Sequence, residues 1–417
     1  MKDSGIEWIG DIPVSWKIMP NKYLMRKEKK ICPVYHGEDI LSLTMKGVIV
    51  RDLDAGGKMP TSFDGYQRLE AGNLLMCLFD IDVTPRCVGL IKQAGVSSPA
   101  YSQFVLRKGA DAAYYCYYYT MLDNDKTLLH LAKNLRHSLT EDQLGAIPVI
   151  VPPIEEQQRI ADFLDTKCAE IDALTADIQT QIDTLEQYKR SVITETVTKG
   201  LNPDVDMKDS GIEWVGAIPA HWSIHPVYTY FGERKNKNSF GREDNLLSLS
   251  YGRVIRKDIN TSDGLLPESF NTYNIVEAGD IIIRPTDLQN DKRSLRTGLV
   301  KEHGIITSAY IDLYPLKKVD SRYFHFLLHA YDTMKVFYNM GNGVRQGLNY
   351  SEFSRLMVFE PPYDEQVAMA DYLEAKVEEV DVVISDKKAQ LATLDEYKKS
   401  LIFEYVTGKK EVSEGAD

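Results

Sequence analysis

Cysteine is scarce in this 417-residue chain: Cys32, Cys77, Cys87, Cys116 and Cys168 are all there is, with no CxxC pair. An odd count without paired spacing argues against a disulfide framework and for free thiols in a reducing compartment. Long apolar runs are missing too. No stretch of about 18 apolar residues occurs, so no membrane span is expected. The opening MKDSGIEWIG lacks a basic start followed by an apolar run, so no signal peptide is expected, and a cytoplasmic location follows. Catalytic signatures are also absent. There is no GxxxxGK[ST] phosphate loop, no GxSxG elbow and no HExxH. The eight histidines are read as giving no metal-ligand spacing, so no metal site is expected.

Two short matches to catalytic motifs remain, and both read better as structure. Glu360-Pro361-Pro362-Tyr363 resembles the (Asn/Asp)-Pro-Pro-Tyr motif of adenine amino-methyltransferases, but Glu stands in the acceptor position. No glycine-rich loop for a methyl donor accompanies it. Pro203-Asp204…Asp206-Met207-Lys208 has the letters of a PD…(D/E)xK nuclease compressed into one linker. No catalytic residue is expected, and the chain reads as a binding protein.

What the sequence does contain is a long duplication. MKDSGIEWIGDIPVSW at Met1–Trp16 returns as MKDSGIEWVGAIPAHW at Met207–Trp222, an offset of 206. Ser62–Asn73 answers Ser269–Asp280, and Asp39–Leu43 answers Asn245–Leu249. Two helical stretches, each opened by Pro-Pro and acidic residues, begin at Pro152 and Pro361, an offset of 209. A period this long is a tandem unit rather than a solenoid repeat. Pro-Pro fixes an extended entry, and Glu155, Glu156, Asp364 and Glu365 favour a helix start.

Within the helices the apolar residues follow a seven-residue grid. In the first copy it is Leu164, Ile171, Ile178, Leu185 and Val192, with Ile160, Cys168, Leu174, Ile182 and Tyr188 on the same face. In the second it is Leu373, Val380, Leu394 and Leu401, with Lys387 as the exception. Sustained heptads predict a coiled coil, and the simplest partner for each helix is the other, running antiparallel.

Between the helices each copy reads as short strands plus one aromatic helix (Asp111–Leu122; Asp320–Tyr338). The strands are expected at Asp39–Leu43, Gly47–Arg51, Asn73–Phe79 and Cys87–Lys92, then at Asn245–Leu249, Arg253–Lys257, Asp280–Arg284 and Thr297–Lys301. The tyrosine run at 114–119 invites base stacking. Internal comparison places it in a core instead, since Phe324, Phe326 and Leu327 stand opposite Tyr115, Tyr117 and Tyr118.

The net charge of −12 hides an uneven distribution. Residues 17–150 hold 17 Lys/Arg against 14 Asp/Glu, and residues 223–359 hold 18 against 15. The helical stretches carry the acid: 5 against 10 at 154–200, and 7 against 15 at 360–417. That pattern suits nucleic-acid contact by the globules and protein contact by the helices. The DNA-reading candidates are clustered Arg, Lys, Asn and Gln. Foremost are Arg284, Gln289, Asn290, Lys292, Arg293 and Arg296, followed by Arg253, Arg256 and Lys257, and by Asn342, Arg345 and Gln346 in a glycine-rich turn. The first globule offers a thinner set: Arg51, Lys58, Arg68, Arg86 and Lys92.

Two copies of GIEW(I/V)GxIPxxW, two variable globules and two PPx(E/D)EQ-initiated helices resemble the specificity subunits of type I restriction-modification systems. Glu156-Gln157 and Glu365-Gln366 match that family's helix start, and Tyr363-Asp364 depart from its common apolar-Glu pair. The resemblance implies an α+β fold: two mixed α/β DNA-reading globules in tandem, separated by two long antiparallel coiled-coil helices. It implies a target recognition domain at 1–150, a spacer and docking helix at 151–200, and a linker with the start of the second repeat at 201–222. A second recognition domain at 223–359, a C-terminal helix at 360–410 and a tail at 411–417 complete the chain.

The implied function is recognition of a bipartite, asymmetric double-stranded DNA sequence, without catalysis by this chain. Partners would be two methyltransferase subunits using S-adenosylmethionine, and restriction subunits using ATP and Mg. The competing reading is a coiled-coil scaffold whose globules bind protein; a sequence-specific footprint separates the two.

Overall fold

Contacts divide the chain into two units, Met1–Ile178 with Lys388–Asp417, and Gln179–Lys387. The computed structural model describes all residues except 55–59, 85, 133–136, 213, 261–268, 287, 289–294, 339, 341–346 and 413–417. Two long helices, Ile154–Lys199 and Tyr363–Val406, each contribute to both units. No helix among the described residues is long and apolar enough to cross a membrane.

The first unit is built on a four-stranded antiparallel sheet in the order Met25–Glu28, Ser102–Leu106, Leu74–Met76, Val88–Leu90. The second repeats that order with Phe231–Glu233, Ile311–Pro315, Ile281–Ile283, Thr297–Leu299. Leu74–Met76 and Ile281–Ile283 are buried along their whole length, as continuous apolar runs should be when covered on both faces. Each sheet carries a hairpin, Leu41–Thr44 with Gly47–Val50 and Leu247–Ser250 with Arg253–Arg256. The expected strands are present with trimmed or shifted ends: Asn73–Phe79 is cut back to Leu74–Met76, and the first strand of each hairpin starts two residues later and ends one residue later than expected. The sheet's edge strands, Met25–Glu28 and Phe231–Glu233, carry no alternation strong enough to mark them in the sequence.

The aromatic helices are Ala112–Asn124 and Ser321–Thr333, capped by the side chains of Asp111 and Asp320. Tyr114, Tyr115, Tyr118 and Tyr119 are fully buried, packed edge to face. Tyr114 also donates its hydroxyl to the Val406 carbonyl at 2.8 Å, and Tyr323 does the same to Val197 at 3.3 Å. The hydroxyls thus close the last turns of the long helices, whose carbonyls lack partners within the helix.

The repeated EQ pair starts each long helix by a definite mechanism. Gln157 is fully buried; its Nε2 donates to the Pro152 carbonyl at 2.8 Å and its Oε1 accepts from the Asp111 amide at 2.8 Å. Gln366 repeats both bonds, to Pro361 at 2.9 Å and from Asp320 at 3.0 Å. One side chain therefore ties the Pro-Pro entry to the N-cap of the aromatic helix. Each helix ends at a glycine in the left-handed region, Gly200 (φ 77°) and Gly408 (φ 70°). A Cβ on Gly408 would fall 2.9 Å from the Trp16 ring, so the GIEW repeat closes on the helix end.

Within each unit the long helices run antiparallel, in a register fixed by cross-helix pairs. Lys398 bridges Asp172 at 2.6 Å in the first unit, and Lys189 bridges Asp381 at 2.7 Å in the second. Lys387, the exception on the heptad grid, donates to Gln181. Of the nine grid residues, Leu164, Ile171, Ile178, Leu373, Val380 and Leu401 are buried, while Leu185, Val192 and Leu394 are half-buried. Leu174 and Tyr188, assigned by spacing to the same face, are 48% and 45% exposed. Two helices cover a narrow stripe, and residues at its margin stay open.

Candidate nucleic-acid interface

The hairpin distinguishes the two units most clearly. In the second, Leu247–Ser250 and Arg253–Arg256 present Arg253 and Arg256 with side chains 66% and 72% exposed. Arg253 pairs with Asp381 on the long helix and Arg256 with Glu302. Exposed pairs of this kind are weak and exchange readily for a phosphate oxygen. Lys257 continues the strand through its amide, which donates to the Leu246 carbonyl at 2.8 Å. In the first unit the same positions hold Gly47 and Val50, and Ile49 and Val50 are exposed. The shared scaffold offers cations on one side of the duplication and aliphatic groups on the other.

The remaining candidates divide into three groups. Arg68 is half-exposed and bridges Glu38 at 3.1 Å, Lys92 is exposed, and Arg51 and Arg284 are half-buried. Lys58, Gln289, Asn290, Lys292, Arg293, Asn342, Arg345 and Gln346 lie outside the described residues. Arg296 is a correction. It is 0% exposed, its Nε donates to the Tyr338 hydroxyl at 2.9 Å, and its guanidinium also donates to the Thr286 carbonyl. Its charge is spent inside the fold, beside Asp332, and it cannot reach a base. Arg86 also serves the fold: its side chain is 16% exposed, donating to Asn124 at 2.8 Å and bridging Asp123 at 3.4 Å. A run of Arg and Lys in sequence does not show which member turns inward; here the buried Asp332 and Tyr338 choose Arg296.

Beneath the hairpins the units differ again. In the first, neutral amides meet: Gln103 Oε1 accepts from the Glu70 amide at 2.7 Å and from Asn73 Nδ2 at 3.3 Å. In the second, Asp312 and Asp280 take those places, and Arg234 grips Asp280 with two bonds of 2.7 and 2.9 Å. Neither Asp312 oxygen has a hydrogen-bond partner among the described residues, and Arg234 stands 3.7 Å away. Burial, then the Asp280 carboxylate, push the Asp312 carboxyl well above the usual carboxylate range. Retaining its proton relieves the repulsion that two adjacent buried carboxylates would otherwise suffer.

One histidine pair does have a ligand-like spacing, contrary to the expectation from sequence. His325 and His329 lie four residues apart on the aromatic helix, with His325 Nε2 and His329 Nδ1 buried and without a hydrogen-bond partner among the described residues. Burial pushes His325 down to about 3 and His329 down to about 4. Lys301 near His325, and Lys189 and Arg190 near His329, add to the shift. These cationic surroundings disfavour a metal ion, and no group of three ligands exists among the described residues.

Glu360, of the Glu-Pro-Pro-Tyr segment, accepts from the Tyr230 hydroxyl at 2.9 Å and from Ser223 at 3.0 Å, and Lys317 lies 3.2 Å away. It is a structural acceptor, and Pro361-Pro362 lead directly into the long helix at Tyr363.

The family described as "Type I restriction modification DNA specificity domain" matches residues 88–184. A putative type I restriction enzyme MjaX specificity subunit of Methanocaldococcus jannaschii is 25% identical over 284 residues, covering 65% of this chain and 61% of that protein. The MjaVIII specificity subunit of the same organism is 24% identical over 285 residues, covering 63% of this chain and 62% of that protein. The matches thus span about three fifths of the length of each curated relative. A solved chain from work on complex assembly and conformational transition of the type I R-M system superposes with a TM-score of 0.69 at 12% identity. That superposition covers 96% of this chain and 100% of the other, and it establishes a shared fold.

Proposed function

We propose that the chain is a specificity subunit of the type I restriction-modification family, which reads a split double-stranded DNA target and performs no chemistry itself. The observation that carries this reading is one topology built twice with different surface chemistry. Arg253 and Arg256 replace Gly47 and Val50, and Asp280 and Asp312 replace Asn73 and Gln103. Two such units read two different half-sites, so the target is not palindromic.

The long helices serve as spacer and docking surface. Leu174 follows the Asp172–Lys398 pair, and Tyr397 adjoins it; Val383 and Tyr188 repeat the arrangement about the Asp381–Lys189 pair. All four are exposed, which gives each unit an equivalent apolar patch. Two copies of one methyltransferase subunit would bind these patches at related sites. Methyl transfer with S-adenosylmethionine, and ATP- and Mg-dependent translocation and cleavage, belong to those subunits and to restriction subunits, in the cytoplasm.

Footprinting of the full chain with its modification subunits on genomic DNA tests the reading. Protection of two separated, unlike base clusters is expected. Uniform protection that disappears with added salt would leave only nonspecific phosphate binding and support the scaffold alternative.

A further inference from the structure

The turn of the second hairpin carries a residue that neither the fold nor the helix packing uses. Ser250 pairs with Arg253, closing a two-residue loop of Tyr251 and Gly252 at φ 46° and 78°. Such turns normally take Asn-Gly or Gly-Gly, because both residues must adopt the left-handed region. Gly252 fits: a Cβ there would meet Leu295 at 3.0 Å and lie 3.6 Å from the His329 ring. Tyr251 does not fit. A bulky side chain is strained at this φ, and such strain persists where it serves a purpose.

Tyr251 is also 89% exposed, so burial does not compensate for that strain. Cations lie nearby in ion pairs that a phosphate could exchange into, Arg253 and Lys189 sharing Asp381 and Arg256 meeting Glu302. Arg253 and Arg256 follow on the same strand, and the His329 ring against which the turn packs lies near Lys189 and Arg190 of the long helix. A protruding aromatic ring amid guanidinium and ammonium groups matches one partner chemistry: a base step flanked by phosphates.

We propose that Tyr251 is the DNA-contacting tip of the second unit, its ring entering the base stack of one half-site while Arg253 and Arg256 take the adjoining phosphates. This inference rests on the DNA-reading function proposed above. In the first unit Met45, 61% exposed, stands at the corresponding loop position of a differently shaped turn, in which Gly47 takes the positive φ, and methionine is among the apolar side chains that wedge between base steps.

The test uses the full-length chain assembled with its modification subunits and the duplex that the wild-type complex itself methylates. 2-Aminopurine is placed in turn at each base of both half-sites. With the wild type, one position in the second unit's half-site should brighten as that base unstacks. Tyr251→Ala and Tyr251→Gly should lose the signal and about tenfold or more in affinity, whereas Tyr251→Phe should keep both. The glycine variant relieves the turn, so its melting temperature should equal or exceed that of the wild type, which separates lost contact from lost folding. Wild-type affinity in both Tyr251→Ala and Tyr251→Gly would overturn the proposal while leaving DNA reading intact. Weakened assembly with the modification subunits, at unchanged DNA affinity once assembled, would reassign the tip to protein contact and overturn it equally. A wild-type complex that protects no split site would remove the DNA-reading function and this inference together.

Discussion

Trp16 donates its indole Nε1 to Glu156 Oε2 at 2.9 Å, and Trp222 donates to Glu365 at 3.0 Å. Both rings are buried. Each bond joins the GIEW segment of one copy to the first turn of the long helix that follows it. The acidic residues of the PPx(E/D)EQ start are therefore tertiary anchors as well as partners of the helix N-terminus.

Removal of that anchor should be costly in proportion to what is removed. Trp16→Phe keeps most of the ring and loses the bond to a carboxylate, about 2–3 kcal/mol. Trp16→Ala also opens a cavity beneath Gly408 and should cost about 3–5 kcal/mol. Chemical denaturation of the full chain reads both. Equal losses in the two variants would mean that the hydrogen bond, not the ring, holds the segment.

Arg296 and Arg256 should part company. Arg296→Ala removes the donor to the Thr286 carbonyl and one of two donors to the Tyr338 hydroxyl, and leaves Lys335 as the cation beside the buried Asp332. A loss of about 3–5 kcal/mol in stability is expected. Arg256→Ala, in an exposed pair, should change stability by less than about 0.5 kcal/mol. It should instead lower DNA affinity and reduce the salt slope by about one. Melting curves together with salt-dependent binding distinguish the two.

The Asp280–Asp312 pair gives the second unit a pH dependence that the first lacks. The Asp312 carboxyl is raised in the fold, so the folded state binds the extra proton. Its contribution is full below about pH 4, the unfolded value, and is lost as pH rises through the raised value. Stability of the second unit should fall across that window. Asp312→Asn, the counterpart of Gln103 in the first unit, should flatten the fall. A wild-type unit that gains stability with rising pH through the same window would contradict the assignment.

The cross-helix register requires paired changes in length. Seven residues inserted after Ile178 alone would slide Asp172 and Gln181 against Lys398 and Lys387 in opposite senses and should destabilise the chain. Seven inserted after Ile178 and seven after Lys387 keep the heptad phase in both helices. The matched insertion should widen the gap between half-sites by about three base pairs, with neither half-site altered. An unchanged gap would end the spacer role.

Much of this was legible in the chain itself, and the exceptions have physical causes. The duplication, the long helices and the burial of Tyr115 and Tyr118 follow from comparing one copy with the other, because a position that accepts Phe or Leu needs no exposed hydroxyl. Gln157 could be matched but not explained, since its partners Asp111 and Pro152 meet only in three dimensions. Leu174 and Tyr188 fit the seven-residue grid yet stay open, because periodicity gives a face and not its width. Arg296 lies in the cluster chosen for DNA contact and is buried, because the side chains that draw it inward are 36 and 42 residues away. The His325–His329 spacing was visible, but its cationic neighbours come from distant parts of the chain.

The role proposed for this chain is to supply sequence recognition to a separate methyltransferase. The most direct measurement is to co-express it with the modification subunit of its own genome and map methylated adenines by sequencing. A split, non-palindromic motif is expected, methylated only when both chains are present, in which replacing residues 223–359 changes one half and leaves the other. A stable complex that methylates no defined motif, or a replacement that alters both halves, would contradict it.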